Sequence, residues 1–180
     1  MRRMGVAGPV LLGALATYAA ARFLPPMIAR TAGTARGFAG EDPFDELVED
    51  HQHIADVLAR MDSGITTRLE RERLTLQAKR RLSEHALAEE NAVYPLLGSD
   101  DVRLPLYAEH ANMKILLHAL QHKVADKDAW AEHAAALRTL VTAHVREEED
   151  ELFPKLRAKL DETEAALLLG EIEREKATVL

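Results

Sequence analysis

The stretch His85–Leu97, HALAEENAVYPLL, decides how this chain is read, because its pattern recurs at His144–Leu156, HVREEEDELFPKL. Both open with His-x-x-x-Glu-Glu, and both close with an aromatic residue, proline and leucine: Tyr94-Pro95-x-Leu97 and Phe153-Pro154-x-Leu156. The segments upstream match too. Asp50-His51 is followed by Ile54 and Leu58, and Glu109-His110 by Met113 and Leu117. His110 follows His51, and His144 follows His85, by the same 59 residues. Each half therefore reads as a helical hairpin with a lone histidine on one helix and a His/Glu pair on the next. Two such hairpins meeting about a pseudo-twofold axis would bring the histidines together in the middle.

Helix geometry says which groups can converge. At about 100° per residue, positions i and i+4 lie about 40° apart on one face. His85 and Glu89 therefore point the same way, as do His144 and Glu148. Glu90 and Glu149 lie about 140° from their histidines and face water or an outer layer. Six ligand-type side chains turned into a core are costly unless something compensates them. A metal pair does so: two glutamates can bridge, four histidines can fill terminal positions, and further coordination positions remain for a small exogenous ligand.

The rest of the composition suits this frame. The 180 residues are 47% hydrophobic but only 4% aromatic. Helix formers such as Ala, Leu, Glu and Arg dominate, which predicts an all-α fold. There is no cysteine, so disulfides, zinc–thiolate sites and iron–sulfur clusters are excluded and any metal must sit on imidazole and carboxylate. Connections are short, which forces an up-down-up-down antiparallel four-helix bundle. Its helices are expected over about 43–62, 66–97, 103–124 and 128–158. Asp126 or Asp128 caps the last of these, and a short C-terminal helix within 159–180 opens with Asp161-x-x-Glu164.

Charge divides the chain. Residues 1–40 hold five arginines and no acid, whereas the remainder has 18 basic and 30 acidic residues. An acidic body argues against nucleic acid. Met4 to Ala21 carries no charge and would span about 27 Å as a helix, close to the roughly 30 Å hydrocarbon layer. Residues 1–24 are expected to be an N-terminal membrane anchor, or a secretory signal cleaved near Ala19-Ala20-Ala21. The protein would then sit at the cell membrane or be exported. Residues 25–42, rich in Gly, Ala and Arg and without periodicity, read as a linker.

Together these motifs resemble the hemerythrin-like family, the HHE cation-binding domain, over about residues 43–157. The resemblance implies a four-helix bundle around a carboxylate-bridged, non-haem di-iron site, with dioxygen, nitric oxide or peroxide as the small ligand. Carried over, His51, His85, His110 and His144 are terminal ligands, and Glu89 and Glu148 bridge. Glu149 is an alternative to Glu148, and His53 to His51. Oxygen carriers place a further histidine four residues from the first on the third helix. Here those positions are Leu106 and Lys114, which argues against reversible oxygen carriage. Six N/O ligands also suit manganese or zinc, so only the resemblance selects iron. His118, His122 and His133 are assigned to solvated faces. Three functions are compatible with the pattern: a binding or sensing protein, a di-iron oxidase or peroxidase, and a structural bundle with a vacant site.

Overall fold

The computed structural model describes residues 7–62, 64 and 67–179, with side chains from Thr17 onward. All of its regular elements are helical. They are α1 (Ala7–Phe38), α2 (Pro43–Asp62), α3 (Arg68–Ala88), α4 (Asp100–Lys123), α5 (Lys127–Glu147), α6 (Phe153–Arg157) and α7 (Glu162–Lys176). In the bundle α2 packs on α3 and α5, and α4 packs on the same two, closing a four-membered ring.

Local chemistry sets the boundaries. Pro43 opens α2, a position where its missing N–H costs nothing, and Asp42 Oδ1 accepts from Phe44 N at 2.8 Å. Gly64, at φ +75°, turns the chain after α2 in a conformation that only glycine adopts freely. Thr67 caps α3 by accepting from Glu70 N, and Asp126, rather than Asp128, caps α5 by accepting from Ala129 N. The Asp161/Glu164 capping box closes in both directions.

The second and fourth bundle helices do not run as uninterrupted α-helix. A π-helical segment occupies Glu89–Val93 after α3, and another occupies Glu148–Leu152 after α5. Tyr94 N donates to Glu89 O, and Phe153 N to Glu148 O. Each π-turn starts on the glutamate of a His-x-x-x-Glu pair, so the repeat is one of backbone as well as sequence.

Two apolar clusters fill the bundle. One contains Ile54, Leu58, Met61, Leu74, Leu117, Trp130 and Leu137. The other contains Phe44, Leu47, Tyr94, Leu97, Leu106, Phe153, Leu168 and Ile172. The histidines lie between them in sequence on every helix, so a polar layer separates two apolar plugs. Of the C-terminal leucines, Leu168 and Leu169 are buried and Leu167 is exposed.

The linker expectation is corrected. Residues 25–38 are helical and continue α1, which lies along α7. Glycine is there for close approach rather than for flexibility. A Cβ on Gly33 would meet Leu169 O at 2.9 Å, one on Gly170 would meet Arg30 O at 2.8 Å, and one on Gly37 would strike Ala166. Two backbones meeting this closely need no periodic apolar stripe, so the sequence pattern shows none. Arg30–Glu171 at 2.6 Å and Arg36–Glu173 at 2.9 Å flank the contact.

The expected anchor at Met4–Ala21 lies mostly outside the residues whose side chains are described. Among the described residues no helix is long and apolar enough to cross a membrane.

This contact predicts an inversion of helix propensity at Gly170. In an exposed helix, Gly→Ala stabilises by about 1 kcal/mol. Here the methyl has nowhere to go, and Gly170→Ala is expected to destabilise by about 1–3 kcal/mol. Urea unfolding measures it, and a more stable variant would show that the backbones can part at no cost.

Candidate metal centre

Six side chains from different helices converge at the polar layer: His51 from α2, His85 from α3, His110 from α4, His144 from α5, and Glu89 and Glu148 from the two π-turns. All six are buried, and the glutamates expose no surface at all. Their donor atoms form two groups, His51/His85/Glu89/Glu148 and Glu89/His110/His144, each within 4.8 Å and sharing Glu89. The halves mirror one another. His51 and His85 meet edge to face with centroids 4.6 Å apart, and His110 and His144 do so at 4.7 Å.

The tautomers can be deduced. His51 Nδ1 lies 2.8 Å from Glu149, His110 Nδ1 3.0 Å from Glu90, and His144 Nδ1 2.7 Å from Glu109. A carboxylate only accepts, so each of these nitrogens carries the proton and, in a neutral ring, leaves Nε2 as a bare lone pair. Yet His51 Nε2 faces His85 Nε2 at 3.0 Å, and His110 Nε2 faces His144 Nε2 at 3.0 Å. His110 and His144 thus present two acceptors at hydrogen-bond distance with no proton between them, and His51 presents a third. Such an arrangement is stable only around positive charge.

The carboxylates make the same demand. Glu89 Oε2 lies 3.1 Å from His85 Nε2 and 3.4 Å from His110 Nε2, so it touches both histidine pairs. Glu148 Oε2 lies 3.3 Å from both His51 Nε2 and His144 Nε2. Glu89 Oε1 and Glu148 Oε2 make no hydrogen bond with the described residues. Buried carboxylate oxygens without donors are expensive, and cation coordination would satisfy them. The residues present therefore fit a metal with N/O preference.

Without a metal, protons take that place. Burial disfavours a charged imidazole at His85, but the carboxylates of Glu89, Asp50 and Glu148 outweigh it and push the ring up to about 10. At His144 burial is likewise outweighed, by Glu89, Glu148 and Glu109, and the ring rises to about 9. His110 is raised for the same reason. Glu89 is held well below the usual carboxylate range despite its burial, because three imidazoles surround it. Glu148 is pushed up by burial and by Glu89.

Two layers of the site are not apparent from ligand spacing. Outside the imidazoles stand Glu149, Glu90 and Glu109; Glu149 thus backs His51 from outside and Glu148 is the one turned inward. Inside stands Tyr94, whose hydroxyl donates to Glu148 Oε1 at 2.9 Å and lies 3.1 Å from His110 Nε2. Its repeat mate Phe153 stacks on His51 at 5.8 Å, much as Tyr94 stacks on His110 at 5.4 Å. One end of the centre is thus hydroxylic and the other apolar. The aromatic-proline motif marked both positions, but only coordinates show them touching the ligands. His53 is exposed and does not reach the site. His118 and His122 are exposed and meet as tilted rings with centroids 4.2 Å apart, and His133 donates to Ala129 O.

A family model described as the hemerythrin HHE cation binding domain matches residues 42–156. No curated protein and no solved structure matches the chain.

The trapped protons fix a pH dependence. An imidazole raised above its unfolded value of about 6.5 stabilises the fold fully below that pH, and loses the contribution as pH climbs through about 9 at His144 and about 10 at His85. The metal-free chain should therefore become easier to unfold with urea between about pH 7 and pH 10. Metal affinity should rise over the same window, with protons released into a weakly buffered solution on loading. A metal-free chain that gains stability toward pH 10 would contradict this charge balance.

Proposed function

The chain belongs to the hemerythrin HHE cation-binding domain family, and from that premise we propose that it is a non-haem di-iron protein that takes up dioxygen, nitric oxide or peroxide. The observation that carries the reading is the pair of facing Nε2 atoms, repeated 59 residues apart and joined through Glu89. In this reading His51, His85, His110 and His144 are terminal ligands, and Glu89 and Glu148 bridge. The ring of four helices is read as up-down-up-down, so that each hairpin delivers half of the centre.

Two irons would supply redox capacity and open coordination positions for a small ligand. The chain's own residues do the rest. A cavity of about 10 Å³ lies against the four histidines, walled by Ile54, Leu82, Leu117 and Val141. That is space for roughly one water-sized molecule, so diatomic ligands and peroxide suit it and organic substrates do not. The apolar walls keep bulk water from the ligand. Tyr94 holds a proton at its hydroxyl against Glu148, on the side of the histidine layer opposite this cavity. Leu106 is buried in the apolar cluster and Lys114 pairs with Glu90 at 2.7 Å. Neither is an imidazole, and this favours sensing or uptake over reversible carriage.

A second reading, a di-iron oxidase or peroxidase, is favoured by one observation: the Tyr94 hydroxyl is a hydrogen-bond donor inside the centre. The N-terminal stretch 4–21 remains assigned as a membrane anchor or cleaved signal from composition alone. Arg22 of α1 reaches Thr178 O at 3.4 Å, and cleavage near Ala19-Ala20-Ala21 would leave this contact in place.

Metal analysis of the untagged chain, grown with iron, decides the reading. Two irons per chain are expected in the wild type and in the His118→Ala control, with loss in His85→Ala and Glu148→Ala. Oxo-to-iron charge-transfer bands that change with oxygen or nitric oxide support uptake. Sustained consumption of added peroxide, diminished in Tyr94→Phe, supports the enzyme instead. No iron after supplementation rejects both.

A further inference from the structure

The outer carboxylates obey the repeat: Glu149 backs His51 as Glu90 backs His110, and Asp50 stands to His85 as Glu109 stands to His144. Three of the four contacts are hydrogen bonds of 2.7–3.0 Å. The fourth is not. His85 Nδ1 lies 3.8 Å from Asp50 Oδ2, beyond hydrogen-bond range. It makes no hydrogen bond with any described residue although the ring is buried.

What Asp50 does instead is visible on α7. Lys176, the last residue of that helix, sits 3.0 Å from Asp50 Oδ1 and 2.9 Å from Oδ2. Its ammonium is held by Glu46 at 2.7 Å, and Glu46 is held in turn by Arg36 of α1, also at 2.7 Å. The corresponding carboxylate of the other half, Glu109, has no lysine of this kind among the described contacts, and its bond to His144 is closed. A carboxylate on the outer nitrogen orients a ligating imidazole and strengthens it as a donor. His85 is the one histidine denied this support. Both α1 and α7 lie outside the matched residues 42–156, so the interference comes from elements added to the family domain.

We propose that Lys176 is a positioning residue that draws Asp50 away from His85 and thereby makes the His51/His85 half the weaker of two unequal metal positions. The proposal rests on the metal-binding reading above. It differs from a simple effect of side-chain length. Asp50 is one methylene shorter than Glu109, and if reach alone set the 3.8 Å gap, removing Lys176 would change nothing at His85.

The experiment is an anaerobic cobalt(II) titration of the full chain, followed by visible absorption and metal content. The wild type should fill in two unequal steps. Lys176→Met should tighten the weaker step by about tenfold or more, the scale on which outer partners of metal ligands act. Lys176→Arg, which keeps the cation, should titrate like the wild type. Asp50→Asn combined with Lys176→Met should abolish the gain. An unchanged or weakened affinity in Lys176→Met, or a gain that survives Asp50→Asn, overturns the proposal. Urea unfolding checks that the Met variant folds, and Lys176→Gln replaces it if it does not. In the metal-free chain, proton NMR reads the same event directly. The His85 Nδ1 proton should exchange quickly in the wild type and become protected in Lys176→Met. If the wild type takes up no metal, the proposed function fails while this ring proton still decides the role of Lys176.

Discussion

The structure turns on a repulsion that needs a cation to resolve it. Once Glu90 and Glu109 claim the outer nitrogens of His110 and His144, the two rings in their neutral form face one another lone pair to lone pair at 3.0 Å, and only a proton or a metal ion relieves them. Glu149 leaves His51 in the same state toward His85. Placing Glu89 and Glu148 among them adds negative charge in a region that water does not reach. Desolvated charges of one sign cost several kcal/mol each unless opposed. The bundle carries this cost because its two apolar clusters hold the four helices together on either side of the polar layer. The site is therefore held in tension between hydrophobic plugs, and positive charge relaxes it.

Duplication explains how such a centre is assembled from one hairpin's worth of information. Every ligand, outer carboxylate, π-turn and stacked aromatic has a counterpart 59 residues away. The departures from symmetry are consequently few and informative. Tyr94 opposes Phe153, so hydroxyl donation to Glu148 comes from one end only. Lys114 attends Glu90 while Glu149 has no such lysine among the described contacts, and Asp50 answers to Lys176 while Glu109 answers to His144. Two half-sites built on one plan thus acquire different surroundings without any change in the six inward-facing side chains.

The parts legible in the sequence are those that follow helical periodicity. The i, i+4 spacing put His85 with Glu89 and His144 with Glu148 on shared faces, and the repeated offset selected His51 and His110 over the other histidines. The all-helical class followed from composition, and the capping box at Asp161 from spacing. The π-turns were hidden because an i to i+5 hydrogen bond leaves no mark in residue types. The pairings of Glu109 with His144 and of Glu149 with His51 were hidden because they join residues far apart in sequence. The helical course of residues 25–38 was misleading for a different reason. Glycine read as a breaker is also what two backbones need in order to touch, and only the partner helix distinguishes the cases.

That partner helix changes what counts as the functional unit. The family domain ends at residue 156, yet Leu168 and Ile172 of α7 are buried in the same cluster as Phe44, Leu47 and Phe153. Phe153 in turn stacks on His51. A contact path therefore leads from the α1–α7 glycine contact, through an apolar plug, to an imidazole of the centre, in parallel with the ionic path through Arg36, Glu46, Lys176 and Asp50. Apolar contacts resist only separation, whereas ion pairs fix direction as well. The two paths together mean that α7 can neither leave nor rotate without disturbing the histidine layer. The added helices are thus mechanically continuous with the site, and the domain boundary drawn by family resemblance does not coincide with the boundary of the structure that holds the ligands in place.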